Sequence, residues 1–475
     1  MGFILRTVRR GGFLFVFYWK NIIIHPMKRF RKYHEAVEYL ENLPLMANGS
    51  FEPAASSRPD FYLKKMAWFL DLLGNPHRGM KYVHVTGTSG KGSVSTMIQN
   101  ILTASGKKTG LFTSPFPTTS IEKISIDGTY VYPDEFVGMV DELKPLIGKS
   151  ADGCPWGRPS YFEIFMLMGF LHFKRKGCEW VVLEVGCGGR HDASNVIEKN
   201  EISVITNIGH DHMQIIGDTL EKIAFEKVGI VKEGSALFTT EKDEELLAIF
   251  KNECEQKNAR MTTVPNMCES VVYGGNRMKV RLPGIENEID CKLWGDHQAR
   301  NISLAYAISK HLGISNESIV EGISKADLPC RFEIVRHEPL VILDGAHNKE
   351  KIKSTVSNLE KLEYRKLFLV VGISETKEAE KILERIIPKA DYVVATNLVY
   401  GKSVDPERLK KMSTPFLKAG AVFETEPALF EAANGVLEKA EKNDAILITG
   451  SFYVAGELRK KWISEDYILE NLRSF

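Results

Sequence analysis

The segment Lys81-Tyr-Val-His-Val-Thr-Gly-Thr-Ser-Gly-Lys-Gly-Ser93 constrains the fold more than any other part of the chain. An apolar strand runs into a glycine-rich turn, and the spacing that follows predicts a helix from Ser93 to Ala104. Strand, tight turn and helix in that order open a parallel, doubly wound sheet. The turn reads as a phosphate cradle. Gly87, Gly90 and Gly92 allow positive φ and inward-facing N–H groups, Lys91 offers a point charge, and the helix N-terminus adds its dipole. Thr88, Ser89 and Ser93 complete the loop. Its spacing departs from the common G-x-x-x-x-G-K-[ST] pattern, because Gly90 follows Gly87 too closely and Gly92 separates Lys91 from Ser93. A plain strand-ending turn is the other use of such residues.

Downstream the rhythm is regular. Apolar runs at Gly110–Phe112, Trp180–Val185, Ile202–Thr206 and Ala236–Thr239 alternate with helical stretches at Glu135–Leu146, Phe162–Lys176 and Leu220–Lys227. This predicts a mainly parallel sheet with helices on both faces. Two helices, carrying Val37, Leu40, Leu43 and Leu63, Met66, Leu70, Leu73, precede the first strand across a polar loop at Asn48–Pro59. Residues 260–294 read as a small antiparallel appendage. A second cycle begins near Arg331, with strands at Leu340–Leu343, Leu367–Val371, Tyr392–Ala395 and Ala445–Ile448 and a helix at Pro427–Lys442. The expected fold class is α/β: a P-loop-containing doubly wound sheet over residues 28–325, then a smaller Rossmann-like α/β domain over 326–475.

Composition narrows the partners. With 62 basic and 61 acidic residues the chain has no global field to recruit nucleic acid or an anionic membrane, so any anion site is local. Seven cysteines, an odd number without a C-x-x-C pair, point to reduced thiols in the cytoplasm. Residues 1–27 form an N-terminal extension: Arg6, Arg9 and Arg10 precede an apolar run broken by Lys20, too short for an ordinary span and without an A-x-A site. Either it is a weak anchor or Met27, or a later methionine, is the start; the second is expected, since phosphate chemistry would be stranded outside the cell.

Glu184 ends the run Trp180-Val-Val-Leu-Glu, which puts its carboxylate at the carboxyl edge of the sheet, where doubly wound folds bind ligands. A buried carboxylate there needs a cation, either Arg190 or a metal. The next strand ends in Thr206-Asn-Ile-Gly-His-Asp-His212, and Glu184 with His212 beside a phosphate loop suits Mg²⁺, completed by a hydroxyl and phosphate oxygens; the imidazole leaves room for Mn²⁺. A helix opening with the capping-box spacing Asp218 to Glu221 carries Lys227 in its last turn, where a lysine is ordinarily solvated. In the second cycle, Leu343-Asp-Gly-Ala-His-Asn348 follows a buried strand. Asp-Gly also makes a good turn, a use that suits Asn348 better than Asp344, because Arg331 offers a guanidinium able to share one nucleotide with Asp344. Asn301 begins a helix and reads as its cap.

In order, Leu73-Gly-Asn-Pro76, the phosphate loop, Thr113-Ser-Pro115, Glu184-Val-Gly-Cys-Gly-Gly-Arg190, Thr206-Asn-Ile-Gly, Asp211-His212, Glu226-Lys-Val-Gly-Ile230, His297-Gln298, Arg331-Phe-Glu333, Asp344-Gly-Ala-His-Asn348 and Thr449-Gly-Ser451 resemble the folylpolyglutamate synthase and dihydrofolate synthase branch of the Mur ligase family. The resemblance spans about Tyr39 to Glu457. It implies an ATP-dependent, ADP-forming ligase in which a folate carboxylate is phosphorylated and L-glutamate attacks the acyl phosphate. By the same resemblance Lys91 and the loop from Gly87 to Ser93 hold the phosphates, and Ser114, Glu184 and His212 ligate Mg²⁺. Lys227 carries CO₂ as a carbamate directed at the metal, which overturns its reading as a solvated lysine. Asn301, Arg331 and Asp344 contact the nucleotide, while His191, Asp192 and Ala193 line the pterin site. A cytoplasmic monomer is implied, with tetrahydrofolate as the folate and dihydropteroate as a further substrate.

Four departures stand out: Ser89 for the family Asn, His191-Asp-Ala-Ser-Asn195 for Leu-Asp-Ala-Thr-Asn, Pro329-Cys-Arg331 for Pro-Gly-Arg, and Phe61-Tyr-Leu-Lys-Lys-Met66 for the glycine-leucine-arginine segment that helps hold the pteridine. The last leaves open whether dihydropteroate is accepted. Two other readings compete. A Mur-type ligase acting on a nucleotide-sugar peptide carries a whole domain before its phosphate loop, for which Met27 to Gly87 is short. A P-loop ATPase without ligase activity leaves Arg331 and Asp344 without a task.

Overall fold

The computed structural model describes residues 8–10, 13–15, 29–43, 60–210, 213–274, 277–375, 377–399 and 401–475. The loop expected at Asn48–Pro59 lies outside these residues, as does most of the extension 1–27. Among the described residues no helix is long and apolar enough to cross a membrane.

Two separate sheets account for the two cycles of the sequence. The first has eight strands, ordered Arg260–Thr263, Ala236–Thr239, Ile202–Ile205, Lys81–Thr86, Trp180–Glu184, Thr109–Phe112, Ile124–Ile126 and Thr129–Tyr130. All pair in parallel except the last two, which fold back antiparallel at one edge. Every position of Trp180–Glu184 is buried, as a parallel strand covered on both faces requires. The second sheet has six strands, ordered Glu333–His337, Leu340–Leu343, Ala445–Thr449, Leu367–Val371, Tyr392–Ala395 and Val422–Thr425, with only the first pair antiparallel.

Helices sandwich the first sheet. On one face Met66, Phe165 and Phe170 pack against Phe112 and Leu183; on the other Ile98, Ile101, Ile302 and Ile319 cover Val83 and Val85. Helix Tyr161–Arg175 opens with a capping box, Ser160 Oγ accepting from Glu163 N at 3.3 Å and Glu163 Oε2 from Ser160 N at 2.6 Å.

Three expectations are corrected. Residues 260–294 are not one appendage: Arg260–Thr263 extends the large sheet in parallel, and the antiparallel trio is Ser270–Gly274, Arg277–Arg281 and Ile289–Cys291. Helix Leu220–Val228 is capped by Thr219, whose hydroxyl accepts from Lys222 N at 3.3 Å, while Asp218 instead pairs with Lys222 Nζ at 2.8 Å. Asn301 is not a cap either, because helix Asp296–His311 has Gly295 at its N-cap and Asn301 lies within it.

Candidate active site

Strand Lys81–Thr86 lies between Trp180–Glu184 and Ile202–Ile205, so the chain winds away from it in both directions and leaves a crevice at its carboxyl end. The phosphate loop fills that position. Gly87 and Gly90 have φ of 143° and 86°, and a Cβ on Gly90 would meet Asn301 Oδ1 at 2.5 Å. Gly92 differs from the expectation: it lies inside helix Lys91–Ala104 without positive φ. Its missing side chain serves approach instead, since a Cβ there would sit 3.2 Å from Leu328 Cδ2 and 3.8 Å from Glu184 Oε2. The loop is held from behind. Asn207 Oδ1 accepts from Ser89 N at 2.9 Å, Thr206 Oγ1 donates to Ser89 O at 2.6 Å, and Thr88 Oγ1 donates to Gly209 O at 3.0 Å. Lys91 Nζ folds back onto Gly87 O at 3.0 Å.

Glu184 is buried beside this loop, and among the described residues its one hydrogen bond comes from Ser114 N at 3.2 Å. Arg190 is not its partner: that guanidinium pairs with Glu253 Oε2 at 2.6 Å and stacks 4.1 Å from the Phe225 ring. Burial pushes the Glu184 carboxyl up, opposed by Lys91, the Ser114 N–H, Arg331 and Lys351. Lys227 is buried too, at 4% exposure, and lines a small cavity together with Lys91, Gly87, Thr88, Gly186 and Cys187. The solvated reading of its helix position therefore fails. Asp211 and His212 lie outside the described residues. Among the described residues no group of three or more His, Cys, Asp and Glu gathers for a metal, so Glu184 stands with Ser114 and lysines rather than in a cluster of acids.

The second sheet presents its own strand end to the same crevice. Asp344, next after Leu340–Leu343, accepts Thr355 Oγ1 at 2.7 Å and Ala346 N at 3.1 Å. Burial raises its carboxyl to about 6 despite those donors and the nearby Arg331. Arg331 lies with its guanidinium 4.7 Å from the Phe452 ring, close enough to bias Glu184, Asp344 and His297 alike. Asn301 Nδ2 donates to Gln298 Oε1 at 2.9 Å, and Gln298 Nε2 to Ser93 Oγ at 3.2 Å, so the Ser93 hydroxyl is tied to a neighbouring helix. Asn348 caps helix Lys349–Leu359 by accepting Lys351 N at 2.9 Å, a structural role other than the turn its motif suggested. Sequence reasoning did not single out His347 and Lys351, whose side chains meet at 3.0 Å; their i, i+4 spacing at a helix start was the available signal.

His191, Asp192 and Ala193 lie beyond Glu184 on the same edge. His191 Nδ1 is 3.1 Å from Glu226 Oε1. Asp192 accepts Ser194 N and Oγ at 2.9 and 2.5 Å and Cys187 N at 3.1 Å, which ties this wall to the cavity lining, and Ala193 is buried. A cation-rich crevice closed by two sheet edges can hold a polyphosphate and screen a second anion brought against it.

Residues 160–309 match the Mur ligase middle domain and residues 330–452 the Mur ligase glutamate ligase domain. The dihydrofolate synthase/folylpolyglutamate synthase of Bacillus subtilis is 30% identical over 412 residues, 84% of this chain and 94% of that protein. The folylpolyglutamate synthase of Lacticaseibacillus casei is 28% identical over 90% of this chain and 98% of its own length. Among solved structures, the folylpolyglutamate synthase of Mycobacterium tuberculosis complexed with ADP and AMPPCP superposes with a TM-score of 0.80 at 26% identity, covering 91% of this chain and 98% of that one.

Proposed function

The chain belongs to the Mur ligase family, in its folylpolyglutamate and dihydrofolate synthase branch, and on that footing we propose how its residues divide the reaction. The activity is ADP-forming: ATP phosphorylates a folate carboxylate, and the amine of L-glutamate attacks the acyl phosphate. The nucleotide-sugar and simple ATPase readings are set aside.

The loop N–H groups from Gly87 to Ser93 and Lys91 hold the phosphates, and Asn301, Arg331 and Asp344 hold the nucleotide from the other side. The donor set fits a hard divalent cation, because Glu184 is a buried carboxylate with a single backbone donor. Ser114, Glu184 and a carbamate on Lys227, with His212, would hold Mg²⁺ or Mn²⁺, which supplies charge to screen two anionic reactants. Carbamylation by CO₂ exchanges a buried cation for an anion, so Lys227 then complements the metal instead of repelling it. His191, Asp192 and Ala193 line the pterin end. Water excluded from the crevice protects the acyl phosphate until glutamate attacks.

The observation that carries this reading is the convergence of Glu184, Lys91 and Ser114 on one sheet edge with Arg331 and Asp344 on the other. Incubating the protein with ATP, Mg²⁺, L-glutamate and tetrahydrofolate should yield glutamylated folate with ADP and phosphate in equal amounts; no such product would sink the assignment. The same assay with dihydropteroate in place of tetrahydrofolate tests for a second activity.

A further inference from the structure

Arg459 ends helix Phe452–Arg459, and its side chain is shut off from solvent. Its Nε donates to Glu333 Oε1 and Oε2 at 2.9 and 2.8 Å, Nη1 to Thr118 Oγ1 at 3.3 Å, and Nη2 to the Ser474 carbonyl at 2.6 Å. These partners come from three places. Glu333 starts the second sheet, Thr118 follows the Ser114 loop of the first, and Ser474 belongs to the C-terminal tail. That tail is itself tied to the first sheet: the Ser474 hydroxyl donates to Glu122, and the Leu472 carbonyl accepts from Tyr130 N at 2.9 Å.

What Glu333 does next gives the arrangement a consequence for the site. Its Oε2 also accepts from Cys330 N at 2.8 Å. Cys330 and Phe332 both have φ of 55°, so Arg331 sits between two residues in a conformation that side chains other than glycine rarely adopt. Such a turn persists only where its surroundings over-determine it. Here the Glu333 carboxylate holds one end, Gly345 N donates to Cys330 O at 2.8 Å, and Phe452, at the start of the Arg459 helix, underlies the Arg331 guanidinium. Stability alone does not require a buried ionic fork, since packed apolar residues serve as well or better.

We propose that Arg459 is a positioning residue for the ligation: through Glu333 it fixes the Cys330–Phe332 turn, and with it Arg331, against the nucleotide. Through Thr118 and Ser474 it makes that placement depend on the docking of the two α/β units. The inference rests on the reading of Arg331 as a nucleotide contact, and its test separates the two.

ADP binding by calorimetry and steady-state KM values are measured on the full chain for Arg459→Met, Arg459→Lys, Glu333→Gln, Arg331→Ala and the double variant Arg331→Ala/Arg459→Met. Arg459→Met and Glu333→Gln are expected to weaken ADP about tenfold and raise the ATP KM in step, with the folate KM within about twofold and Arg459→Lys recovering part of the loss. In the double variant the Arg459 change should add little to Arg331→Ala, because both act on one contact. Equal rises in the ATP and folate KM values, or additive losses in the double variant, would overturn the positioning role. Unchanged ADP binding in Arg331→Ala alone would instead overturn the nucleotide reading of Arg331. Should Arg459→Met not fold, Glu333→Gln and Arg459→Lys carry the same test.

Discussion

Glu184 and Asp344 occupy similar places, one ending and one following a buried parallel strand at the carboxyl edge of its sheet, yet their surroundings are opposite in kind. Glu184 has one backbone donor, from Ser114, and a set of cations around it. Asp344 is satisfied by a hydroxyl and a backbone N–H, from Thr355 and Ala346, before any ligand arrives. Burial raises both carboxyls. On the proposed reading, the first edge keeps its carboxylate for a cation while the second is already hydrogen-bonded, so charge chemistry falls to the phosphate-loop sheet and orientation to the other.

The sharpest attempt to break this contrast is Glu184→Gln, which keeps an acceptor for Ser114 N and removes only the charge. If the charge is what the first edge contributes, kcat for glutamylated product should fall on the order of 10³-fold with ADP binding little changed. Activity within tenfold of the parent would reduce Glu184 to a packing residue. A smaller but more diagnostic loss, about 10²-fold, is expected for Lys227→Ala. Its deficit should be partly restored by short carboxylic acids in solution, which would replace the anion of the proposed carbamate. Full activity without added acid would remove the carbamate from the scheme.

The first edge was the more legible in the sequence, for a physical reason. An acid or a glycine-rich turn that ends an unbroken apolar run is anomalous, and anomalies at strand ends mark sites. What was misread depended on distant partners. Helix position alone made Lys227 look solvated, as last-turn lysines usually are, although the family resemblance already set that reading aside; it is buried beside the loop. Asn301 looked like a cap, although its helix starts at Asp296 and its amide faces Gln298 and Gly90. Asp218 and Thr219 are both competent caps, and adjacent candidates cannot be ranked by type alone. The turn around Arg331 was the least legible. Its positive φ at Cys330, where the family pattern has glycine, is held by Arg459 and the chain terminus, far away in sequence.

Asp344→Asn probes the second edge, with a smaller effect on turnover and an opposite one on stability. An ordinary carboxyl near 3.8 raised to about 6 in the folded state corresponds to about 3 kcal/mol. Between those values the folded protein holds a proton that the unfolded chain has released, so stability falls as pH rises from about 4 to about 6 and is flat above. Asn cannot ionise and keeps an acceptor for Thr355. The variant should therefore melt at a higher temperature than the parent at pH 8, with the gap closing towards pH 4, while its ATP KM rises about tenfold. An unchanged KM would leave Asp344 a structural acid and erase the contrast from the other side.

Asn348→Ala gives the finest test, because it changes a residue of the same motif whose side chain serves as a helix cap. The Asn348 side chain accepts Lys351 N and so satisfies one of the open N–H groups of helix Lys349–Leu359. Losing that cap should cost about 1 kcal/mol of stability. Lys351 keeps its backbone within the helix, and Asp344 keeps both donors. ATP and folate KM values should accordingly stay within about twofold of the parent while the urea midpoint drops. If the ATP KM moves as far as in Asp344→Asn, helix Lys349–Leu359 and its Lys351 set the nucleotide's place, and the second edge works through its helix more than through its strand-end acid.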